Sequence, residues 1–119
     1  MKDVLKIRLD DSVKRVYVAG KMRGEPCYNF ESFFFWARIL RLSGYDVVNP
    51  AQIDTEKMFD GWQYSEDQYP DVLLHDLHEI KDVDAILLLE GWENSVGATT
   101  ERAFGIAIGK KIYEAKGIV

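Results

Sequence analysis

Residues 85–115, AILLLEGWENSVGATTERAFGIAIGKKIYEA, decide the expected fold because they contain a complete strand–helix–strand unit. The first five residues are all apolar, and such a run is typical of a parallel strand that is buried on both faces. A loop that contains glycine follows, and apolar residues then recur at helical spacing from Ser95 to Gly109. The stretch ends in KKIYEA, the pattern of a short second strand. A helix between two strands normally connects parallel strands of one sheet.

The chain before this unit repeats the alternation of strands and helices. Short β-rich runs at 16–19 and 45–49 predict two further strands. Apolar residues at helical spacing predict helices over 29–44 and 70–84. Strands that alternate with helices indicate a parallel sheet. We therefore expect a single α/β domain over 1–119, Rossmann-like (flavodoxin-like), with a parallel sheet of about four to five strands flanked by helices.

Two segments depart from this alternation. Leu5, Ile7 and Leu9 alternate with charged residues, which predicts an additional edge strand near the N-terminus. Residues 51–69 have weak periodicity and several aromatic side chains. For them we expect a loop or a broken helix, with a flap over a binding site as one role.

Composition and charge argue against several classes of protein. The chain has a net charge of -5 and no basic run, which disfavours a binder of duplex nucleic acid. No apolar stretch reaches the length that spans a membrane, and the charged first residues do not resemble a signal peptide. Cys27 is the single cysteine and cannot form an internal disulfide, so we expect a reducing cytoplasm. No residues have the spacing of metal ligands, and we expect neither a metal nor another cofactor.

Three of the predicted strands end beside residues that suit an anion. Ligands of parallel sheets bind beyond the carboxyl ends of the strands, where segments 20–24, 49–51 and 91–97 should converge. The candidate ligand contacts in these segments are Gly20, Lys21, Met22, Arg23, Asn49, Ser95 and Gly97. Backbone N–H groups at a helix N-terminus bind anions well. A helix N-cap would explain the same serine, and a solvated surface would explain the same cations.

Two carboxylates are predicted on apolar faces of helices. Asp76 shares a face with Leu73 and Leu77, and Glu101 precedes Phe104 by one turn. A buried carboxylate is costly without partners. Asp76 therefore either faces a cavity or lies at the border of its helix face as a solvated or capping residue. Glu101 either lies at the floor of a pocket or is a glutamate near the helix start that stabilises the helix dipole. In the first case we expect Glu101, early in its helix, to stay ionised and burial to raise the pKa of Asp76.

Tyr17 lies inside the first predicted strand, where a buried phenol needs a hydrogen-bond partner. Packing alone would account for this residue, but a carboxylate in a pocket is the partner with chemical consequences. His75 and His78 flank Asp76 and should point off its helix face. We therefore expect both histidines at the surface.

The order and spacing of three segments resemble the nucleoside 2-deoxyribosyltransferase superfamily. The segments are VYVAGKMRG (16–24), HDLHEIKDVDAILLL (75–89) and GWENSVGATTERAFGIAIGKKI (91–112). The chain is most similar to the small branch that includes deoxynucleoside monophosphate N-glycosidases and phage-type proteins. This resemblance implies hydrolysis, or transfer, at the N-glycosidic bond of 2′-deoxynucleoside 5′-monophosphates.

The resemblance also implies roles for individual residues. Glu101 matches the nucleophile that attacks C1′, Tyr17 the residue that orients it, and Asp76 the acid that serves the leaving base. The implied 5′-phosphate contacts are Gly20, Arg23, Ser95 and Gly97. Lys21 departs from the family pattern, because the glycosidases often have serine there, and the segment around Asn49 lacks a histidine that some of them carry.

Alternatives to this function remain. One is a base-exchange transferase that uses free nucleosides, and another is a nucleotide-binding module without catalysis. Members of the superfamily often complete a neighbour's site, and the first predicted helix is apolar on more than one side. We therefore expect a homodimer or a larger homo-oligomer.

Overall fold

The computed structural model describes residues 6–52 and 68–118, and a parallel four-stranded sheet is the central element of these ranges. The strand order is β2–β1–β3–β4, with β1 (Arg15–Ala19), β2 (Asp46–Val48), β3 (Ala85–Leu88) and β4 (Lys111–Glu114). The described helices include α1 (Phe30–Leu42), α2 (Tyr69–Lys81) and α3 (Val96–Ala107). Parallel strands in this order, joined through helices, confirm the predicted Rossmann-like, flavodoxin-like α/β fold.

The central strand β1 brings Tyr17 into the middle of the sheet. It pairs with β2 on one side and β3 on the other, and Tyr17 lies opposite Val48 and Ile86. Successive side chains of a strand point to opposite faces. Val16 and Val18 pack into the core under α1, while Tyr17 packs into the core on the other face.

The second face of the sheet is covered by α2 and α3, which pack against each other. Ile80 of α2 and Phe104 of α3 join Tyr17 and Ile86 in this core. The apolar stripe predicted for each helix therefore faces the sheet. At the carboxyl ends of the strands, side chains at the edges of the two apolar helix faces consequently lie close to Tyr17.

The predicted N-terminal edge strand is wrong for its described part, residues 6–13, which pair with no strand. Ile7 and Leu9 are buried, as their alternation with charged residues requires. Their backbone N–H groups donate to side-chain hydroxyls instead, Ile7 to Ser43 Oγ (3.0 Å) and Leu9 to Tyr45 Oη (2.7 Å). Because these hydroxyls satisfy the backbone donors, the segment needs no strand partner.

The flap hypothesis for 51–69 falls mostly on residues 53–67, which lie outside the described residues. Tyr69, at the end of that segment, is the first residue of α2 and is followed by Pro70, a residue favoured in the first helical turn. Within 6–52 and 68–118, no helix has the length and the apolar character needed to cross a bilayer.

Candidate functional site

A pocket opens at the carboxyl ends of β1 and β3, between α2 and the start of α3. Tyr17, Asp76 and Glu101 contribute to its lining, and we call the space around these three side chains the inner compartment. Gly20 and Met22, both predicted as ligand contacts, also line it. The structure therefore brings together the three residues predicted to be catalytic, although they are distant in sequence.

Glu101 is held at this position by the close packing of α3 on β3. A Cβ atom at Gly105 would overlap the Ile86 side chain, so glycine permits the helix to approach the sheet at this point. Glu101, one turn earlier, is only 6% exposed. The Tyr17 hydroxyl donates a hydrogen bond of 2.7 Å to Glu101 Oε2. The buried phenol thus has the carboxylate partner that the sequence allowed.

Asp76 approaches Glu101 from α2. Its neighbours on the helix face are Leu73, which lines the pocket, and Leu77, which packs against the core. A hydrogen bond with the Asp76 side chain is one of the causes that raise the pKa of Glu101, and such a bond between two carboxyl groups requires a proton on one of them. The pair therefore resembles two carboxylates that share one proton.

Burial raises the pKa of Glu101 well above its ordinary value, and the negative charge of Asp76 raises it further. The hydrogen bond from Tyr17 acts in the opposite direction and lowers this pKa. The prediction of a readily ionised Glu101 is therefore wrong. The helix N-terminus contributes only about 0.3–1 kcal/mol at an exposed site, and Glu101 lies beyond the first turn, where burial and Asp76 outweigh that contribution.

A second depression adjoins the first and is lined by two cationic side chains. We call it the outer compartment, and its lining consists of Lys21, Arg23, Tyr69 and residues 94–97. Ser95 Oγ accepts a hydrogen bond of 3.0 Å from Ala98 N–H, which confirms it as the N-cap of α3. Two cations and a helix N-terminus make this depression suitable for an anion.

The two predicted cations already contact other side chains. Lys21 Nζ lies 3.9 Å from a carboxylate oxygen of Glu25, and the Arg23 guanidinium lies 4.3 Å from the centre of the Tyr69 ring. Both contacts are partly exposed, and contacts between exposed charged side chains contribute little to stability. Arg23, Ser95 and Gly97 line both compartments.

Asn49 is the predicted contact that the structure does not bring into the site. It lines neither compartment as the described residues define them. The side chain is buried, and its Oδ1 accepts a hydrogen bond of 3.0 Å from Ala51 N–H. Asn49 therefore stabilises the turn after β2. The neighbouring Pro50 contributes to the pocket lining instead.

Tyr69 is a site residue that the sequence pattern does not predict, because it lies at the end of the weakly periodic segment 51–69. It lines both compartments. Burial raises its pKa, Arg23 lowers it, and Glu101 and Asp76 raise it further, so the phenol stays protonated. Its position seven residues before Asp76, two helical turns on the same face, is the signal that would have found it.

The described part of the chain contains no group of three or more His, Cys, Asp or Glu side chains that could hold a metal ion. His75 is exposed, 3.7 Å from Glu79, and His78 is exposed as well. Both therefore lie outside the site, as expected.

Comparison with known proteins places the chain in a family without giving it an activity. No curated protein matches it. Residues 14–114, which include both compartments, match the family described as "Domain of unknown function (DUF4406)". Because this match covers most of the chain, the protein belongs to the DUF4406 family.

Proposed function

We propose that this protein cleaves the N-glycosidic bond of 2′-deoxynucleoside 5′-monophosphates, with Glu101 as the nucleophile. The observation that carries the proposal is the buried Glu101 carboxyl, which accepts a hydrogen bond from the Tyr17 hydroxyl and shares its pocket with Asp76, next to a cationic depression. Cleavage of a glycosidic bond requires two carboxyl groups, one to stabilise or trap the sugar cation and one to protonate the leaving group. The resemblance to the nucleoside 2-deoxyribosyltransferase superfamily supports the same assignment.

The shared proton accounts for both roles. When Asp76 holds it, Glu101 is a carboxylate, and the Tyr17 hydroxyl stabilises that charge by donation. A Glu101 oxygen forms a bond to C1′ as the bond from C1′ to the base nitrogen breaks. The proton of Asp76 passes to the departing base, and the electron pair of the broken bond leaves with it. A deoxyribosyl ester of Glu101 is the intermediate.

Water then completes the reaction. Asp76, now ionised, takes a proton from a water molecule whose oxygen attacks C1′, and the ester bond to Glu101 breaks. The products are the free base and 2-deoxyribose 5-phosphate, and the carboxyl pair regains its single proton. Retaining enzymes hold their two carboxyl groups about 5–5.5 Å apart, so we propose that the sugar enters between Asp76 and Glu101 and replaces their direct hydrogen bond.

The outer compartment supplies the phosphate site in this proposal. A 5′-phosphate near Lys21, Arg23 and the N-terminus of α3 would receive charge-assisted hydrogen bonds. Gly20, which lines the inner compartment, and Ser95 and Gly97, which line both, connect this site to the carboxyl pair. Binding energy from the phosphate would then position C1′ at Glu101 and lower the barrier to cleavage.

A panel of deoxynucleoside 5′-monophosphates and the matching nucleosides tests the proposal. The enzyme is incubated with each compound, and released base is quantified by chromatography. We expect base release from monophosphates and little from nucleosides. Exchange of an added base into free nucleosides would indicate a transferase instead. Thermal stabilisation by nucleotides with no product would indicate a binding module.

We also propose that the protein is a homodimer or a larger homo-oligomer of the cytoplasm. Helix α1 carries exposed apolar side chains at Phe34, Phe35 and Leu42. Several large apolar side chains exposed on one helix favour its burial against another chain. Light scattering at micromolar concentration should give at least twice the monomer mass, and a monomer alone would contradict the proposal.

A further inference from the structure

Tyr69 connects the two compartments. It is the first residue of α2, and its side chain lines both the inner and the outer compartment. One face of its ring contacts the Arg23 guanidinium at 4.3 Å from the ring centre. The side chain thus lies between the proposed phosphate site and the carboxyl pair, and none of the roles assigned above requires it.

The Tyr69 hydroxyl packs against the backbone of Gly97. A Cβ atom added at Gly97 would lie 2.6 Å from Tyr69 Oη, a separation that carbon and oxygen do not adopt without displacement. The ring carbon that carries the hydroxyl would be 3.9 Å away, an ordinary contact distance. Glycine at 97 therefore provides room for the phenol oxygen.

Arg23 gains a fixed position from this arrangement. Its side chain is exposed, and a long exposed arginine has many rotamers that binding would have to restrict. An aromatic ring under the guanidinium limits these rotamers through a cation–π contact. The ring is in turn held by the start of α2 and by the contact of its hydroxyl with Gly97.

We propose that Tyr69 is a positioning residue that holds the Arg23 guanidinium at the outer compartment, and that Tyr69 is itself held by the packing of its hydroxyl against Gly97. The inference rests on the proposed function to the extent that the anion held by Arg23 is a 5′-phosphate. It adds a requirement that the proposed function does not contain: the aromatic ring of Tyr69 and the absence of a side chain at 97 act together on anion affinity.

The first test measures the affinity for inorganic phosphate by calorimetry in the full chain. Tyr69→Leu removes the ring and should weaken phosphate binding by about 2- to 30-fold, the range of a cation–π contact. Tyr69→Phe keeps the ring and should retain most of the affinity. Tyr28→Leu, an exposed tyrosine that lines neither compartment, is the matched control.

Coupling to Arg23 separates positioning from a general effect on folding. If Tyr69 acts through Arg23, the double variant Arg23→Ala/Tyr69→Leu should bind phosphate no more weakly than Arg23→Ala alone. Equal phosphate affinity of Tyr69→Leu and the wild type would overturn the proposal. So would full additivity of the two substitutions.

The second test uses the contact with Gly97. Gly97→Ala keeps every backbone N–H but should displace Tyr69, so phosphate affinity and melting temperature should both fall. Gly97→Ala/Tyr69→Phe lacks the clashing oxygen and should recover both. If the double variant has the same reduced phosphate affinity and melting temperature as Gly97→Ala, the glycine is not required to accommodate Tyr69. That result would overturn the proposed packing of Tyr69 against Gly97.

Base release by the wild type distinguishes this inference from the proposed function. A protein that binds phosphate with the predicted dependence on Tyr69 but releases no base would overturn the proposed reaction and leave this inference standing. A protein that releases base but binds phosphate equally well without the Tyr69 ring would support the proposed reaction and overturn this inference. A wild type that does not bind phosphate at all would overturn the role of Tyr69 in anion binding.

Discussion

The inner and outer compartments are adjacent but are built in different ways. The groups of the inner compartment come from the middle of β1 and from the interiors of two helices, and Glu101 is 6% exposed. Those of the outer compartment come from loops and helix starts, and Arg23 is exposed. Side chains on regular elements hold fixed positions, whereas loop residues are more mobile. The inner compartment is therefore suited to chemistry and the outer one to reversible binding.

The two compartments also differ in electrostatics. Charges interact more strongly in a buried site than at a surface, where water and salt screen them. Burial and Asp76 accordingly raise the pKa of Glu101, while the ion pair of Lys21 with Glu25 is long and partly exposed. Substitutions in the inner compartment should consequently change rates, and those in the outer compartment should change affinities and depend on salt.

The largest effect is expected from Glu101→Gln. Loss of the proposed nucleophile should reduce kcat by about 10⁴-fold or more, as for nucleophiles of other enzymes. Nucleotide binding should change little, because the proposed phosphate contacts lie in the other compartment. Steady-state kinetics and calorimetry check both statements, with exposed Glu31→Gln in α1 as the control. A wild-type rate in Glu101→Gln would contradict the assignment of catalysis to the inner compartment and of binding to the outer one.

Asp76→Asn should reduce kcat by roughly 10²- to 10⁴-fold, the contribution of general acid catalysis. The loss in kcat/KM, which reports the first, base-releasing step, should be smaller for substrates whose base departs easily, because these need less protonation. A series of bases with different basicity measures this dependence, and Asp71→Asn at the exposed start of α2 serves as the control. An equal loss for all bases would show that Asp76 does not act as the acid.

Arg23→Ala should weaken binding of a deoxynucleoside monophosphate by about 1.5–3 kcal/mol, the range of a charged hydrogen bond. Binding of the matching nucleoside should not change. Because the outer compartment is exposed, the difference should shrink as salt is raised. Calorimetry at two salt concentrations is the measurement. Equal affinities of variant and wild type for the monophosphate would refute the phosphate site.

Tyr17→Phe should lower kcat by roughly 10-fold, less than either carboxyl variant, because one hydrogen bond to Glu101 is lost. The bond lowers the pKa of Glu101, so its loss should move the acidic limb of the pH–rate profile to higher pH. An unchanged acidic limb would show that Glu101 is not the group that titrates there.

The smallest effect is expected on stability. The folded chain raises the pKa of Glu101, so the native state holds this proton more tightly than the unfolded chain. The resulting stability is present at low pH and is lost as pH rises above the ordinary value of 4.5 through the raised one. The difference in melting temperature, wild type minus Glu101→Gln, should therefore decrease as the pH is raised above 4.5 through the raised pKa of Glu101. A difference that rises over this range would contradict the shared proton.

Much of the inner compartment could be predicted from the sequence, because its residues lie on periodic elements. The spacing from Asp76 to Leu73 and Leu77 defines a helix face, and the apolar run around Tyr17 defines a buried strand. The parallel direction of the strands follows from the alternation of strands and helices. The raised pKa of Glu101 could not be predicted, because it depends on how closely α2 and α3 approach each other.

The outer compartment could be predicted only in part. Ser95 follows from the rules of helix capping, but Tyr69 precedes Pro70 at the end of a segment without clear periodicity. The position of Asn49 after a strand predicts a site residue, yet its side-chain oxygen accepts a hydrogen bond from Ala51 N–H in the local turn. At strand ends and loops, side-chain direction depends on contacts that no spacing rule specifies.

Intact-protein mass spectrometry during turnover tests the central claim that Glu101 forms a bond to the sugar. Asp76→Asn should slow the attack of water, and a monophosphate with an easily released base should keep the first step fast. We predict that acid-quenched Asp76→Asn gains the mass of one deoxyribosyl phosphate, and that peptide mapping places it on Glu101. A burst of base release with unmodified protein, or an adduct on another residue, would contradict the account.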